Sequence, residues 1–126
     1  MLNDKAKRIL EDKTFVHLAV MDGDTPHTSP VWVDVRDDGR ILVNTSEGRA
    51  KARLLQPGTK VALSATSPEN PYDSLLIQGR VVERTHENAD ADIDRLAKKY
   101  LDKDVYPFRQ PGEQRVTVII EPDRIA

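Results

Sequence analysis

The stretch "ILVNTSEGRAKARLLQPGTKVALSAT", residues 41–66, contains a short helical segment between two strand-like segments. Residues 41–45 are rich in the β-branched and apolar side chains that favour strands, and residues 61–66 resume that pattern after the Pro57-Gly58 break. A parallel sheet needs a helix between most of its strands, and only one connection in this chain, through a later helix, is long enough to be a crossover. The stretch therefore favours an antiparallel sheet.

The rest of the chain extends this pattern through hairpin turns. The motifs "DGDTPH" and "DDGR" have turn chemistry, and Gly79 inside a long strand predicts a bulge, a bend or a close approach of another group. Asn3 is expected to cap a helix over Asp4–Glu11, and residues 87–102 form an amphipathic helix. The predicted strands cover residues 14–22, 28–39, 41–45, 61–66, 73–85 and 115–122. These elements predict a mainly β protein, a small six-stranded antiparallel barrel in one domain of residues 1–126.

Composition narrows the possible functions. The chain has 126 residues, no cysteine and a formal net charge of -2, which removes disulfides and thiolate nucleophiles and argues against nucleic-acid binding. Its polar start and the lack of a long apolar run predict a soluble cytoplasmic protein that does not bind a membrane. A large ligand must lie on the surface or between subunits, because one domain of this size has no room for a separate substrate domain.

Three cations occur at alternate positions of the short helical segment. Arg49 and Arg53 share one side of the helix, whereas Lys51 emerges among the apolar side chains of the other side. With the hydroxyls of Thr45 and Ser46 just before the helix, these cations could form a phosphate-sized anion site. The alternative is that these residues have no ligand: the hydroxyl of Thr45 or Ser46 caps the helix, and the three cations lie on a face exposed to solvent.

The order and spacing of several motifs resemble those of a known family. The pattern is "PHTSPVWVD … ILVNTSEGRAKARLL … VALS … NPY … GRVVE … YPFR.PGE.RV.V.IEP", which extends from Phe15 to Ile125. It resembles the deazaflavin-dependent branch of the pyridoxamine-5'-phosphate-oxidase-like split barrels, the flavin/deazaflavin oxidoreductases. The resemblance implies a homodimer of split barrels that binds coenzyme F420, or alternatively FMN, at the subunit interface.

The resemblance also implies roles for individual residues. The phosphate of the cofactor would be held by Thr45, Ser46, Arg49 and Lys51. Arg53 would reach the anionic tail of the cofactor. The ring system would lie along the segment "PHTSPVWV", and Tyr72 would close the pocket. Tyr106, Phe108 and Arg109 are further candidates for closing it. The implied cofactor-binding residues are His27, Ser29, Pro30, Trp32, Thr45, Ser46, Arg49, Ala50, Lys51, Arg53 and Tyr72.

The implied activity is hydride transfer from reduced F420 to an unsaturated small organic substrate. Two alternatives stay open: an FMN-dependent oxidase or reductase, and a carrier of F420 or flavin without catalysis. No side chain is assigned as catalytic, since the proton donor is His27, a tyrosine or water. A hydrolase and a zinc site are disfavoured, because His17, His27 and His86 lack the partner residues and the spacing that such sites need.

Overall fold

The protein is described by a computed structural model that covers residues 2–126. Its three helices are α1 (Asp4–Glu11), α2 (Ala50–Leu54) and α3 (Ala89–Leu101). Its strands are β1 (Val16–Asp22), β2 (Thr25–Val31), β3 (Asp34–Val35), β4 (Ile41–Ser46), β5 (Lys60–Ser67), β6 (Asn70–Thr85) and β7 (Arg115–Ile125). None of the helices within residues 2–126 combines the length and the apolar character that crossing a bilayer demands.

The strands form one antiparallel sheet in the order β2-β1-β5-β6-β7-β4-β3. Its two edge strands, β2 and β3, are neighbours in the chain and are separated only by Trp32 and Val33. The sheet must therefore curl until its edges approach each other, although no ladder joins β2 to β3 within residues 2–126. This arrangement is an open, split barrel, and the predicted mainly β antiparallel class is confirmed.

The predicted number of strands was wrong, because the sheet has seven strands and not six. The single strand expected at residues 28–39 breaks at Trp32 and Val33. The N–H of Val33 donates to the Tyr100 hydroxyl at 3.1 Å, and its carbonyl accepts from Lys99 Nζ at 2.7 Å. Since side chains of α3 occupy both backbone groups of Val33, they are not free to continue a ladder.

Two apolar clusters hold the fold together. The larger one fills the barrel with the inward faces of the strands, with Ile9 and Leu10 of α1, and with Leu55 at the end of α2. The smaller one lies between α3 and the outer face of the sheet, where Ile93 and Leu96 pack on Leu42 and Ile119. The second cluster places α3 beside the strand that leads into α2.

Local features predicted from the sequence are present. Helix α1 has the predicted bounds, and Asn3 Oδ1 accepts from the N–H of Ala6 at 2.8 Å. At Gly79 the β6–β7 register shifts, and a Cβ there would lie 2.4 Å from the carbonyl oxygen of Glu121. Gly79 is thus both a bulge and a close backbone approach.

Candidate functional site

Strand β4 delivers the chain to α2. Along β4, Ile41 and Val43 face the barrel interior, and Thr45 follows them on that face. Ser46 lies opposite Arg115 of β7, on the other face. Helix α2 then begins after Arg49, and no side chain caps its N-terminus. The alternative prediction that a hydroxyl of Thr45 or Ser46 caps this helix is therefore wrong.

A pocket of about 220 Å³ lies beside α2, near the split between β2 and β3. It brings together six of the residues that the sequence indicated, namely Pro30, Trp32, Arg49, Lys51, Tyr106 and Phe108. The remaining lining residues are Phe15, Val31, Asn44, Ile93 and Arg115. The pocket thus combines cationic and aromatic side chains from five segments of the chain.

Lys51 is half-buried in this pocket. Within residues 2–126 its side chain has no hydrogen bond and no carboxylate partner. Burial lowers the pKa of Lys51, and the positive charges of Arg49 and Arg115 lower it further. An ammonium group in this position is stabilised by an anion, because a phosphate or carboxylate would replace lost hydration and offset the repulsion.

One wall of the pocket is aromatic. Trp32 stacks on Tyr100 with centroids 5.2 Å apart and planes 8° from parallel, and Tyr106 meets Trp32 edge-on at 6.0 Å. Phe15 contacts Tyr100, and Phe108 contacts Tyr106. Every Phe, Trp and Tyr of the chain except Tyr72 belongs to this cluster. In a chain with only 5% aromatic residues, this concentration indicates a surface suited to a planar ring system.

Arg115 is a pocket residue that the sequence interpretation missed. Its guanidinium donates to Asn44 Oδ1 at 2.9 Å and to Glu113 Oε1 at 2.6 Å, and it lies 5.1 Å from the Tyr106 ring centroid. Glu113 balances its charge, so Arg115 is a structural cation at the back of the pocket. The available signal was an arginine at the start of the otherwise apolar run "RVTVII".

Other predicted residues lie elsewhere. His27 and Ser29 pair with Val20 and Leu18 of the barrel interior, so they share the inward face of β2. The hydroxyls of Ser29 and Thr45 are buried, and no hydrogen bond satisfies them in the described chain. None of His27, Ser29 and Thr45 lines the pocket that contains Lys51.

Arg53, Tyr72 and Ala50 are also outside the pocket lining. Arg53 is exposed and pairs with Asp22 at 3.2 Å. Tyr72 is 93% exposed at the start of β6, and Ala50 is exposed at the start of α2. Arg109 faces α3, where it pairs with Asp90 and Asp94.

Two larger cavities, each about 600 Å³, are less suited to a phosphate-bearing ligand. One carries six carboxylates and only two arginines, from the β3 region, the end of β6 and α3, so its net negative charge repels phosphate. The other lies over the outer face of β1, β5 and β6 and contains no aromatic side chain. The smaller pocket beside α2 is therefore the candidate site.

Comparison with solved structures supports the fold. The fold is similar to that of an F420 reductase, with 25% identity and a TM-score of 0.82 over 99% of this chain and 98% of that one. It is also similar to a conserved hypothetical protein from Mycobacterium tuberculosis, with 21% identity and a TM-score of 0.70 over 99% and 82%. A third similar structure is HupZ of Group A Streptococcus, with 20% identity and a TM-score of 0.65 over 99% and 92%.

Sequence comparison identifies the family. No curated protein matches the sequence significantly. A family model described as pyridoxamine 5'-phosphate oxidase matches residues 3–125. The likeness to an F420 reductase supports the F420-dependent branch of the family that the sequence motifs resemble. With nearly the whole chain matched, this protein belongs to the pyridoxamine 5'-phosphate oxidase family.

Proposed function

We propose that this protein is an oxidoreductase that transfers a hydride from reduced coenzyme F420 to an unsaturated small organic substrate. The observation that carries the proposal is Lys51, a half-buried cation without a partner in the described chain, beside Arg49 and an aromatic wall. The likeness to an F420 reductase at 25% identity supports the choice of cofactor.

The side chains of the pocket fit a cofactor that has an aromatic ring system and a phosphate. Arg49, like Lys51, has no side-chain hydrogen bond or close ion pair within residues 2–126, so both cations are available to a phosphate. The planar guanidinium of Arg49 can donate two parallel hydrogen bonds to two oxygens of a phosphate, whereas the ammonium of Lys51 acts as a point charge. Trp32 and Tyr106 offer ring surface for the planar part of the cofactor.

The size of the pocket favours a homodimer. Its volume of about 220 Å³ is below the roughly 300–1,000 Å³ typical of sites for cofactor-sized ligands. Phe15 and Phe108 at its edge are 63% and 58% exposed. A second copy of the chain would cover these rings and supply the missing wall, so the proposed cofactor site lies between two subunits.

The role of the chain in the reaction is binding and orientation. When bound, F420 supplies a two-electron hydride donor at its ring. Arg49 and Lys51 hold the phosphate, the aromatic wall orients the ring, and burial by the second subunit excludes water. No residue of the pocket is needed as a nucleophile, and the proton for the reduced product comes from the Tyr106 hydroxyl in the pocket or from water once the product leaves the site.

FMN is the second candidate cofactor, and a specific observation favours keeping it. The sequence argument assigned the acidic tail of F420 to Arg53, but the Arg53 side chain already pairs with a carboxylate of β1. Arg109, a further candidate for the pocket, already pairs with two carboxylates of α3. Both cofactors carry a phosphate and a tricyclic ring, so Arg49, Lys51 and the aromatic wall suit either one.

A competition titration tests the proposal. The purified protein is titrated with F420 while the fluorescence of F420 is recorded, and the titration is repeated with FMN as competitor. Saturable F420 binding that FMN does not displace, followed by turnover of an unsaturated acceptor, is the expected result. Preference for FMN would move the protein to the flavin branch, tight binding without turnover would make it a carrier, and binding of neither would overturn the proposal.

A further inference from the structure

A partly buried arginine outside the pocket is hydrogen-bonded at two points to the segment that presents the pocket cations. The Arg84 side chain in β6 is only 15% exposed. Its Nη1 donates to Glu47 Oε2 at 3.0 Å, and its Nη2 donates to Glu47 Oε1 and, at 3.2 Å, to the carbonyl of Ala52. Glu47 lies just before α2 and Ala52 lies at its centre, so one guanidinium joins the entry segment to the middle of the helix.

Glu47 is held at two further points. Its backbone N–H donates to the carbonyl of Gln114 at 2.9 Å, and its carboxylate lies 2.6 Å from His86 Nε2. The hydrogen bonds from Arg84 and His86 lower the pKa of Glu47 to about 2, so this carboxylate stays charged near neutral pH. The segment that enters α2 is thereby tied to β6 and to the start of β7.

Helix α2 needs such support. It has five residues and no side-chain cap, and a helix this short is unstable without tertiary contacts. Ala52 is the only residue of the helix that is buried. Leu55 anchors the C-terminal end of α2 in the barrel. Within residues 2–126 Lys51 makes no contact that holds the helix on the pocket side, because the two arginines beside it are like charges. Arg84 supplies a contact that ties the helix to the sheet.

We infer that Arg84 and Glu47 are positioning residues, which hold α2 so that Arg49 and Lys51 face the pocket. Neither side chain lines the pocket, so both act through the helix and not on the ligand. The identity of the ligand rests on the proposed function. The inference that Arg84 and Glu47 hold α2 in place does not rest on it, because these contacts are present in the chain without ligand.

Hydrogen exchange of the ligand-free protein tests the support directly. In α2 the N–H of Arg53 donates to the carbonyl of Arg49, and the N–H of Leu55 donates to that of Lys51. Arg84→Met is expected to speed exchange at these two amides. The matched control is Arg40→Met, which breaks the Arg40–Glu121 pair at the start of β4. Equal exchange in the wild-type protein and Arg84→Met would overturn the inference.

Cofactor binding provides the second readout. Arg84→Met is expected to raise the Kd of F420 or FMN on the order of tenfold, as misplaced binding groups do, with kcat at saturation little changed. Adding Glu47→Gln to Arg84→Met should raise the Kd little further, because both substitutions remove the same Arg84–Glu47 interaction. Arg84→Lys should restore part of the affinity.

The outcomes separate this inference from the proposed function. A wild-type protein that binds neither cofactor overturns the function but leaves the exchange result valid. A wild-type protein that binds, together with an Arg84→Met variant that binds equally well, overturns the positioning role. If Arg84→Met does not fold, hydrogen exchange and cofactor affinity are measured on Glu47→Gln and Arg84→Lys instead. Wild-type exchange rates and wild-type affinity in both of these variants would overturn the inference.

Discussion

The half-buried ammonium group of Lys51 has no hydrogen-bond or carboxylate partner within residues 2–126, which indicates that a ligand supplies one. Replacing Lys51 with alanine is expected to weaken cofactor binding by about 1–3 kcal/mol, as the loss of a charge-assisted hydrogen bond does. The thermal unfolding temperature should change little, because the Lys51 side chain makes no hydrogen bond within residues 2–126. Fluorescence titration and calorimetry measure the two quantities. Lys7→Ala, an exposed lysine on α1, is the control, and wild-type affinity in Lys51→Ala would contradict the assignment.

The lowered pKa of Lys51 predicts a pH dependence of binding. Burial and the neighbouring arginines favour the neutral amine in the free protein, whereas a bound phosphate favours the ammonium and raises the pKa again. Affinity should therefore be full below the free-protein pKa of Lys51 and fall as the pH rises through it, earlier than for an ordinary lysine. Titrations across a pH series measure this. Lys51→Arg should lose the dependence, and an identical profile in that variant would exclude Lys51 as its source.

At the scale of elements, Tyr100 joins α3 to the split of the barrel. Its hydroxyl accepts from the N–H of Val33 and donates to the carbonyl of Thr14 at 2.7 Å. Tyr100→Phe keeps the ring against Trp32 but leaves both backbone groups without this partner, which should cost about 1–3 kcal/mol of unfolding free energy. Urea unfolding measures the loss. Tyr72→Phe, at a 93% exposed side chain, should cost nothing, and equal midpoints for the two variants would refute the role of Tyr100.

The bulge at Gly79 predicts a different kind of destabilisation. A Cβ at this position would lie 2.4 Å from the backbone oxygen of Glu121 and 3.2 Å from Ile120 Cγ2. Strands β6 and β7 must separate to admit it, because the obstacle is backbone. Gly79→Ala should therefore lower the free energy of unfolding by roughly 1–3 kcal/mol, as overpacking does. Denaturant unfolding checks this, and Gln78→Ala, an exposed neighbour, should stay close to the wild-type value.

At the scale of the whole molecule, the outer face of the sheet predicts an oligomeric state. Phe15 and Leu76 are 63% and 56% exposed and line one shallow depression, and Phe15 also lines the candidate pocket. A second copy on this face would bury both side chains and complete the pocket. Phe15→Glu and Leu76→Glu should shift the protein from dimer to monomer in sedimentation velocity experiments. Both variants should lose cofactor affinity together with the dimer, and a wild-type monomer that binds cofactor fully would contradict the prediction.

The elements most accessible to sequence reasoning depend on near neighbours in the chain. The bounds of α1, its Asn3 cap and the special role of Gly79 were predictable, because capping and glycine chemistry act over a few residues. The helical period separated Lys51 from Arg53, as the structure does, but it wrongly grouped Arg49 with Arg53. Arg49 has extended backbone and precedes the helix, so the helical period does not apply to it. Motif order then indicated the family that the match over residues 3–125 shows.

Tertiary structure alone decided which of these residues meet. The strand at residues 28–39 breaks because Tyr100 and Lys99, more than sixty positions away, bond to Val33. Arg53 leaves the pocket because Asp22 lies beside it, and Arg115 enters because β7 pairs with β4. The sequence by itself determined most of the strands, the short helix and the presence of a cation at Lys51, because local backbone preferences and periodicity set them. The partners of each cation depend on the pairing of distant strands, which short-range patterns do not encode.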